Sequence, residues 1–150
     1  NLEGILYIAI LKKLKIHADD RGYLFEGLRI DDAIFDGKFG QSLISVLYPG
    51  VIKAWHKHEK QTDYTLCALG DVKYCVAEEL KNGKTKVETF FLGERSLNLI
   101  KVPPGLWHGY MAVGNQRAVL FHMMDVVFDP EDTQSKDYHA FGDVWTVKNG

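Results

Sequence analysis

The sequence predicts an all-β domain, a sandwich or a closed barrel. Three observations carry that prediction. Apolar residues fall in short runs rich in β-branched and aromatic side chains, and turn signals separate these runs roughly every eight to twelve residues. Only Arg29–Phe35 leaves room for a short helix. A length of 150 residues fits one domain, 1–150, able to bury a core without staples. Hydrophobic residues at 46% and charged residues at 25% are ordinary globular composition and exclude a disordered chain.

In chain order, the expected strands are Ile5–Leu11, Tyr23–Leu28, Ser42–Tyr48, Val51–His58, Asp63–Leu69, Val72–Ala77, Lys86–Leu92, Leu97–Val102, Ala118–Val127 and Val144–Val147. Turns are marked by Gly37 to Gly40, Pro49-Gly50, Gly70-Asp71, Asn82-Gly83, Pro103-Pro104-Gly105 and Gly114-Asn115. The strongest hairpin signal joins Tyr64–Leu69 to Val72–Ala77 through Gly70-Asp71. The polar stretch Asp129–Asp137 reads as an exposed loop. No internal repeat or linker divides the chain.

Eighteen basic and twenty acidic side chains leave a net charge of -2. That balance excludes a broad basic face for nucleic acid, while a local cationic patch for one phosphorylated ligand stays open. The first apolar run is too short to cross a bilayer and lacks the flanks of a signal peptide. The two cysteines, Cys67 and Cys75, make no disulfide framework and are expected to pack within the hairpin. A reduced, cytoplasmic protein without a membrane partner is the expectation.

Strand alternation bears on the chemistry. Along Val51–His58, strict period two puts Ile52, Ala54, His56 and His58 on one face, and Lys53, Trp55 and Lys57 on the other. Two histidines beside Ala54 point to a barrel interior with polar work in it. The plainer alternative is a surface strand with Trp55 inward. His122 shares a face with Leu120 and Met124, which suits a hydrogen-bonded core histidine as well as a catalytic one. His17 and His139 lie in polar surroundings and read as solvated. Met123 and Met124 read as one core and one interface residue. Trp107 and Tyr110 flank His108, either to stack on a ligand or to fill the barrel mouth.

The spacing Gly50-x5-His56-x-His58-x4-Asp63-x6-Gly70 resembles the first cupin motif, with Asp63 where Glu is usual. Pro103-Pro104-Gly105-Leu106-Trp107-His108 resembles the core of the second motif, although Ala112 replaces its terminal Asn. Together they imply a double-stranded β-helix, the jelly-roll barrel of the cupins.

Further segments resemble the dTDP-4-dehydrorhamnose 3,5-epimerase family. They are Asp20-Arg21-Gly22-Tyr23-Leu24-Phe25-Glu26, Trp55-His56 followed by Gln61, Gly105-Leu106-Trp107-His108-Gly109-Tyr110, Phe128-Asp129-Pro130-Glu131 and Gly142-Asp143-Val144-Trp145. The resemblance spans roughly Lys15 to Trp145 and implies epimerisation of a dTDP-4-keto-6-deoxyhexose at C3, C5 or both, in deoxysugar and polysaccharide biosynthesis. It implies no metal or redox cofactor, a nucleotide-sugar partner and a homodimer. His56 takes the place of the base, with Asp137 or Asp143 as the carboxylate that orients it. Arg21, Phe25, Glu26, Lys53, His58, Gln61, Asp63, His108 and Tyr110 become candidate substrate contacts. In two places the sequence departs from the family. His122 stands where the family has its acid tyrosine, and Asp63 where the family has a lysine near the sugar ketone.

Three rival readings remain open. His56, His58, Asp63 and His108 make a three-histidine, one-carboxylate set suited to a divalent metal. A sugar 3,4-ketoisomerase also carries a His-x-His strand. A sugar-binding cupin would keep the pocket and lose turnover.

Overall fold

A run that alternates polar and apolar residues buries one face against a core, and the described chain consists largely of such runs. The computed structural model describes residues 10–149, so residues 5–9 of the first expected strand lie outside them. The strands are β1 (Ile10–Lys13), β2 (Ile16–Asp19), β3 (Gly22–Phe25), β4 (Gln41–Leu47), β5 (Ile52–His58) and β6 (Asp63–Leu69). They continue as β7 (Asp71–Glu79), β8 (Thr85–Gly93), β9 (Asn98–Val102), β10 (Trp107–Val113), β11 (Ala118–Met124) and β12 (Thr133–Ser135).

Two five-stranded antiparallel sheets, ordered β1-β9-β6-β11-β4 and β12-β5-β10-β7-β8, form the jelly roll that the motifs imply, with β2-β3 as a separate hairpin. Between the sheets, Leu47, Val72, Val76, Leu92, Ile100 and Leu120 pack as the central core. Each sheet also has a covered outer face. The chain around Leu28, Ile34 and Phe35 lies over Tyr64, Leu66 and Leu99 of the first sheet. Phe141, Val144 and Trp145 lie over Trp55, Trp107 and Met111 of the second.

Several expectations are corrected. The segments Tyr64–Leu69 and Val72–Ala77 do not pair; β6 and β7 belong to different sheets. Gly70 turns the chain from one sheet to the other at φ 73°. A Cβ there would sit 2.5 Å from the Arg117 carbonyl oxygen, so the crossing needs glycine on both counts. The hairpin signal was a corner signal. Cys67 and Cys75 are buried and free, one in each sheet.

Arg29–Phe35 forms no helix but two successive turns, closed by Asp32 N to Arg29 O and Phe35 N to Asp32 O. The Asp32 carboxylate accepts from the Arg29 backbone N–H and from Lys12, competing with helical bonding. Val144–Val147 is not a strand; Trp145 packs on Trp55 instead. The expected loop Asp129–Asp137 contains a 3-10 turn, Pro130–Asp132, and β12, which pairs with β5. Strands β2 and β10 were not anticipated either.

The correction with most bearing on function lies in β5. Its ladder with β10 matches His56 to His108 but Lys53 to Tyr110, so β5 spends one extra residue between the two pairs. Residues directly opposite each other in a ladder share a face. His108 and Tyr110 line the interior cavity, so Lys53 is directed to the same side as His56 and His58. Ile52, Ala54 and Trp55 pack together on the outer face. Strict alternation had Lys53 outward and Ala54 inward; the bulge reverses both. Gly109 accommodates the bulge, because a Cβ there would lie 2.4 Å from the Ala54 Cβ and 2.9 Å from the Lys53 carbonyl oxygen.

Candidate functional site

One cavity, of about 230 Å³, opens between the sheets and is lined by His56, His58, Asp63, Tyr74, His108, Tyr110 and His122, with Leu43, Gln61, Thr65, Met124, Phe128 and Thr133 completing its wall. Five strands supply the ionisable groups: β5 gives His56 and His58, β6 Asp63, β7 Tyr74, β10 His108 and Tyr110, and β11 His122. The jelly roll thus gathers polar residues far apart in sequence onto one buried wall.

His56 is half-buried, and its Nδ1 lies 3.3 Å from Ser135 Oγ. The residue comes from β12, directly opposite His56 in the ladder. With the serine oxygen accepting from Nδ1–H, Nε2 carries the lone pair on the cavity side. Burial lowers the His56 pKa from its ordinary value, and positive charge on His108, His58 and Lys53 lowers it further. His56 is therefore neutral, and basic, at pH 7.

Asp137 and Asp143 do not support His56. The Asp137 carboxylate accepts from the backbone N–H of His139 and lies 3.1 Å from His139 Nδ1. Asp143 accepts from Thr146 at 2.5 Å. Neither lines the cavity.

On the opposite sheet, His122 is held at both ring nitrogens. Ser45 Oγ lies 2.7 Å from Nε2 and Thr65 Oγ1 lies 2.9 Å from Nδ1. Ser45 also acts on the Tyr110 hydroxyl, and Thr65 on that of Tyr74, each lowering the tyrosine pKa against burial. Ser45, His122 and Thr65 thus form one hydrogen-bonded chain along the cavity wall, with Tyr110 beside one end and Tyr74 beside the other. Burial takes the His122 pKa down to about 4 and raises both tyrosines.

The His122 shift has a consequence for stability. Above its ordinary value of ~6.5 the ring is neutral in both folded and unfolded chains. Below that pH the unfolded chain gains a proton that the folded chain refuses until about pH 4. Stability therefore falls as pH drops through this window, and His122 alone accounts for about 3 kcal/mol of the loss by its lower end. Urea midpoints measured at pH 7 and pH 4.5 should differ accordingly, and His122→Gln should reduce the difference. An unchanged pH slope in that variant would contradict this account.

Behind His56, Asp63 is buried between two histidines. Its Oδ1 accepts from Gln61 Nε2 at 2.7 Å. Its Oδ2 lies 3.6 Å from His58 Nε2 and 3.2 Å from His108 Nε2. Burial alone would raise the Asp63 pKa, but His108 and the Gln61 amide outweigh it, and the carboxyl stays below its ordinary range. Burial also lowers the pKa of His58, against the pull of Asp63.

Of the residues singled out from sequence, His56, His58, Gln61, Asp63, His108, Tyr110 and His122 meet in this cavity. Lys53 points to the same side and stays exposed. Arg21, Phe25 and Glu26 do not enter it. Arg21 pairs with Asp19 on the exposed β2-β3 hairpin, Glu26 pairs with Arg29, and Phe25 stacks on Tyr23. Ser45, Thr65, Tyr74, Thr133 and Ser135 were missed. Alternation along β4 and β7 placed Ser45 with Leu43 and Tyr74 with Val72 and Val76, a signal available in the sequence. Ser135 had none, because its strand was not legible.

A family model described as dTDP-4-dehydrorhamnose 3,5-epimerase matches residues 2–140. The spore coat polysaccharide biosynthesis protein SpsL of Bacillus subtilis is 35% identical over 144 residues, covering 92% of this chain and 95% of its own length. A Haloferax volcanii protein named "Probable low-salt glycan biosynthesis epimerase Agl13" is 32% identical over 125 residues, covering 81% of this chain and 80% of its own. Among solved structures, a dTDP sugar isomerase from Desulfovibrio desulfuricans superposes with a TM-score of 0.81 at 22% identity, covering 88% of this chain and 85% of that one.

Proposed function

The chain belongs to the dTDP-4-dehydrorhamnose 3,5-epimerase family, and from that membership we propose that it is an isomerase of a dTDP-4-keto-6-deoxyhexose in deoxysugar and polysaccharide biosynthesis. The observation that carries this reading is the placement of a neutral, cavity-facing imidazole, His56, in the same pocket as a hydroxyl–imidazole chain ending beside Tyr110. Carbons 3 and 5 of such a sugar lie alpha to the C4 ketone, so a base can remove either hydrogen to give an enolate. Returning a proton from the other face inverts the centre. His56 Nε2 is the base, with the Ser135 hydroxyl in the role the resemblance gave to Asp137.

With a pKa near 4, His122 is neutral at working pH and cannot act as an imidazolium acid. It serves instead as a link, taking a proton at one nitrogen and passing one from the other. Tyr110 delivers the proton to carbon and is refilled through Ser45 and His122. Gln61 and Tyr110 contact the sugar, and exposed Lys53 at the rim meets the diphosphate.

The test is proton NMR of dTDP-4-keto-6-deoxyglucose with the purified protein in deuterated buffer. Loss of the C3 signal, the C5 signal or both is expected, and names the centre. No exchange at either carbon overturns the assignment for this substrate.

The working unit is a homodimer in the reducing cytoplasm, the latter favoured by two buried unpaired thiols. Ile44, Val46 and Phe121 leave an apolar patch exposed beside β4, an edge strand, and a second copy covers it. Sedimentation equilibrium should give twice the chain mass, and Val46→Glu should give monomer.

A further inference from the structure

Asp63 raises a difficulty for enolate chemistry. Negative charge builds on the C4 oxygen, and an ionised carboxylate in the cavity wall opposes it. The other hydrogen bonds around the Asp63 cluster account for only one nitrogen of each ring. His108 Nδ1 lies 3.3 Å from the Leu106 carbonyl oxygen. His58 Nδ1 lies 3.4 Å from the Asp132 carbonyl oxygen and 3.2 Å from Thr133 Oγ1, whose own hydrogen goes to the Asp129 carbonyl. All of these partners accept, so each ring carries a hydrogen on Nδ1 and, when neutral, presents a lone pair at Nε2. Both Nε2 atoms face Asp63 Oδ2, at 3.6 and 3.2 Å, and that oxygen is itself an acceptor. With both rings neutral, three lone-pair atoms converge in a buried wall, a convergence that a second ring proton or a bound cation relieves.

We infer that His58, Asp63 and His108 bind one divalent first-row cation on the cavity wall. Their donor atoms all lie within 4.8 Å of one another. The two shorter separations approach the roughly 3.0–3.4 Å between neighbouring ligands of an ion bound at ~2.0–2.1 Å. Two imidazoles and one carboxylate, with the remaining positions facing a cavity, suit zinc, iron, manganese or cobalt. The outer hydrogen bonds are those of ligand histidines, each ring anchored at Nδ1 by a backbone carbonyl. Gln61 likewise fixes the far oxygen of Asp63.

This departs from the cofactor-free expectation. The site's chemistry deepens the proposed function and rests on that reading, whereas the binding itself does not. When bound, the cation supplies the positive charge beside the C4 oxygen that a lysine at position 63 would otherwise give. Asp63 then changes from an obstacle to a ligand. His56 stays outside the set and remains the base.

Chelator-treated protein titrated with Co(II), followed by visible ligand-field absorption, should take up one equivalent per chain. Asp63→Asn and His58→Gln should each weaken uptake by about 100-fold or more, since even outer-shell changes cost 10–100-fold. His56→Ala should bind as wild type. Near-UV circular dichroism identifies any unfolded variant, and His108→Gln is then read in its place. No stoichiometric uptake overturns the inference and leaves a protonated imidazole as the bridge. Uptake that survives Asp63→Asn also overturns it. Because absorption needs no turnover, a protein that binds cobalt but exchanges no substrate hydrogen would sink the epimerase reading and keep this one.

Discussion

Replacing His56 by alanine is expected to slow hydrogen exchange at the substrate carbon by ~10²–10⁴-fold, the usual worth of a positioned general base. The loss should fall on kcat with KM little changed, because the other cavity groups remain to hold the sugar. The pH profile gives a second reading. In wild type the rate should fall with acid only below the ordinary histidine range, since burial and neighbouring positive charge lower the His56 pKa. The alanine variant should lose that acid limb altogether. His122→Gln should cost less, because a link in a proton chain can be replaced by water, whereas the base cannot. A His56→Ala protein exchanging at the wild-type rate would remove His56 from the mechanism.

A second substitution is expected to act on stability rather than rate. Trp55 is fully buried on the outer face of β5. It meets the Phe141 ring edge-on at 5.0 Å and lies 5.2 Å from Trp145. Its indole N–H donates to the Tyr138 carbonyl at 3.2 Å, and Trp145 donates to the same oxygen at 3.0 Å. Trp55→Ala removes the most deeply buried tryptophan of this layer and the anchor of the C-terminal segment. The expected cost is about 3–5 kcal/mol, read from guanidinium midpoints. Limited proteolysis should cut between Tyr138 and Trp145 in the variant before the wild type. A loss below about 1 kcal/mol would mean that the layer repacks without Trp55.

Much of this architecture was legible because it depends on local patterns. Seven of the expected strands overlap β4 to β9 and β11, where apolar alternation and glycine corners agree. The spacing of His56, His58, Asp63 and His108 also led to the cavity. What failed was anything decided by partners distant in sequence. Gly70-Asp71 satisfies the chemistry of a hairpin turn and of a corner between sheets equally well. The polar run Thr133–Ser135 carries no alternation and becomes a strand only because the β5 edge is there to pair with it. For that reason Ser135, the partner of His56, is not legible in the sequence, and the family resemblance points to Asp137 or Asp143 instead. The β5 bulge did leave a trace. Gly109 inside an apolar run signals close backbone approach, and reading it that way would have directed Lys53 to the cavity side.

β12 hangs on the outer edge of its sheet by a three-residue ladder. Its Ser135 hydroxyl lies against Nδ1 of His56, and the Asp132 carbonyl with Thr133 holds a hydrogen on Nδ1 of His58. One short, peripheral segment therefore positions two imidazoles of the same cavity wall. The orientation of one ring is mechanically tied to that of the other. A change that loosens or reseats this clasp alters both together, so neither can be tuned by evolution or by design without retuning its neighbour.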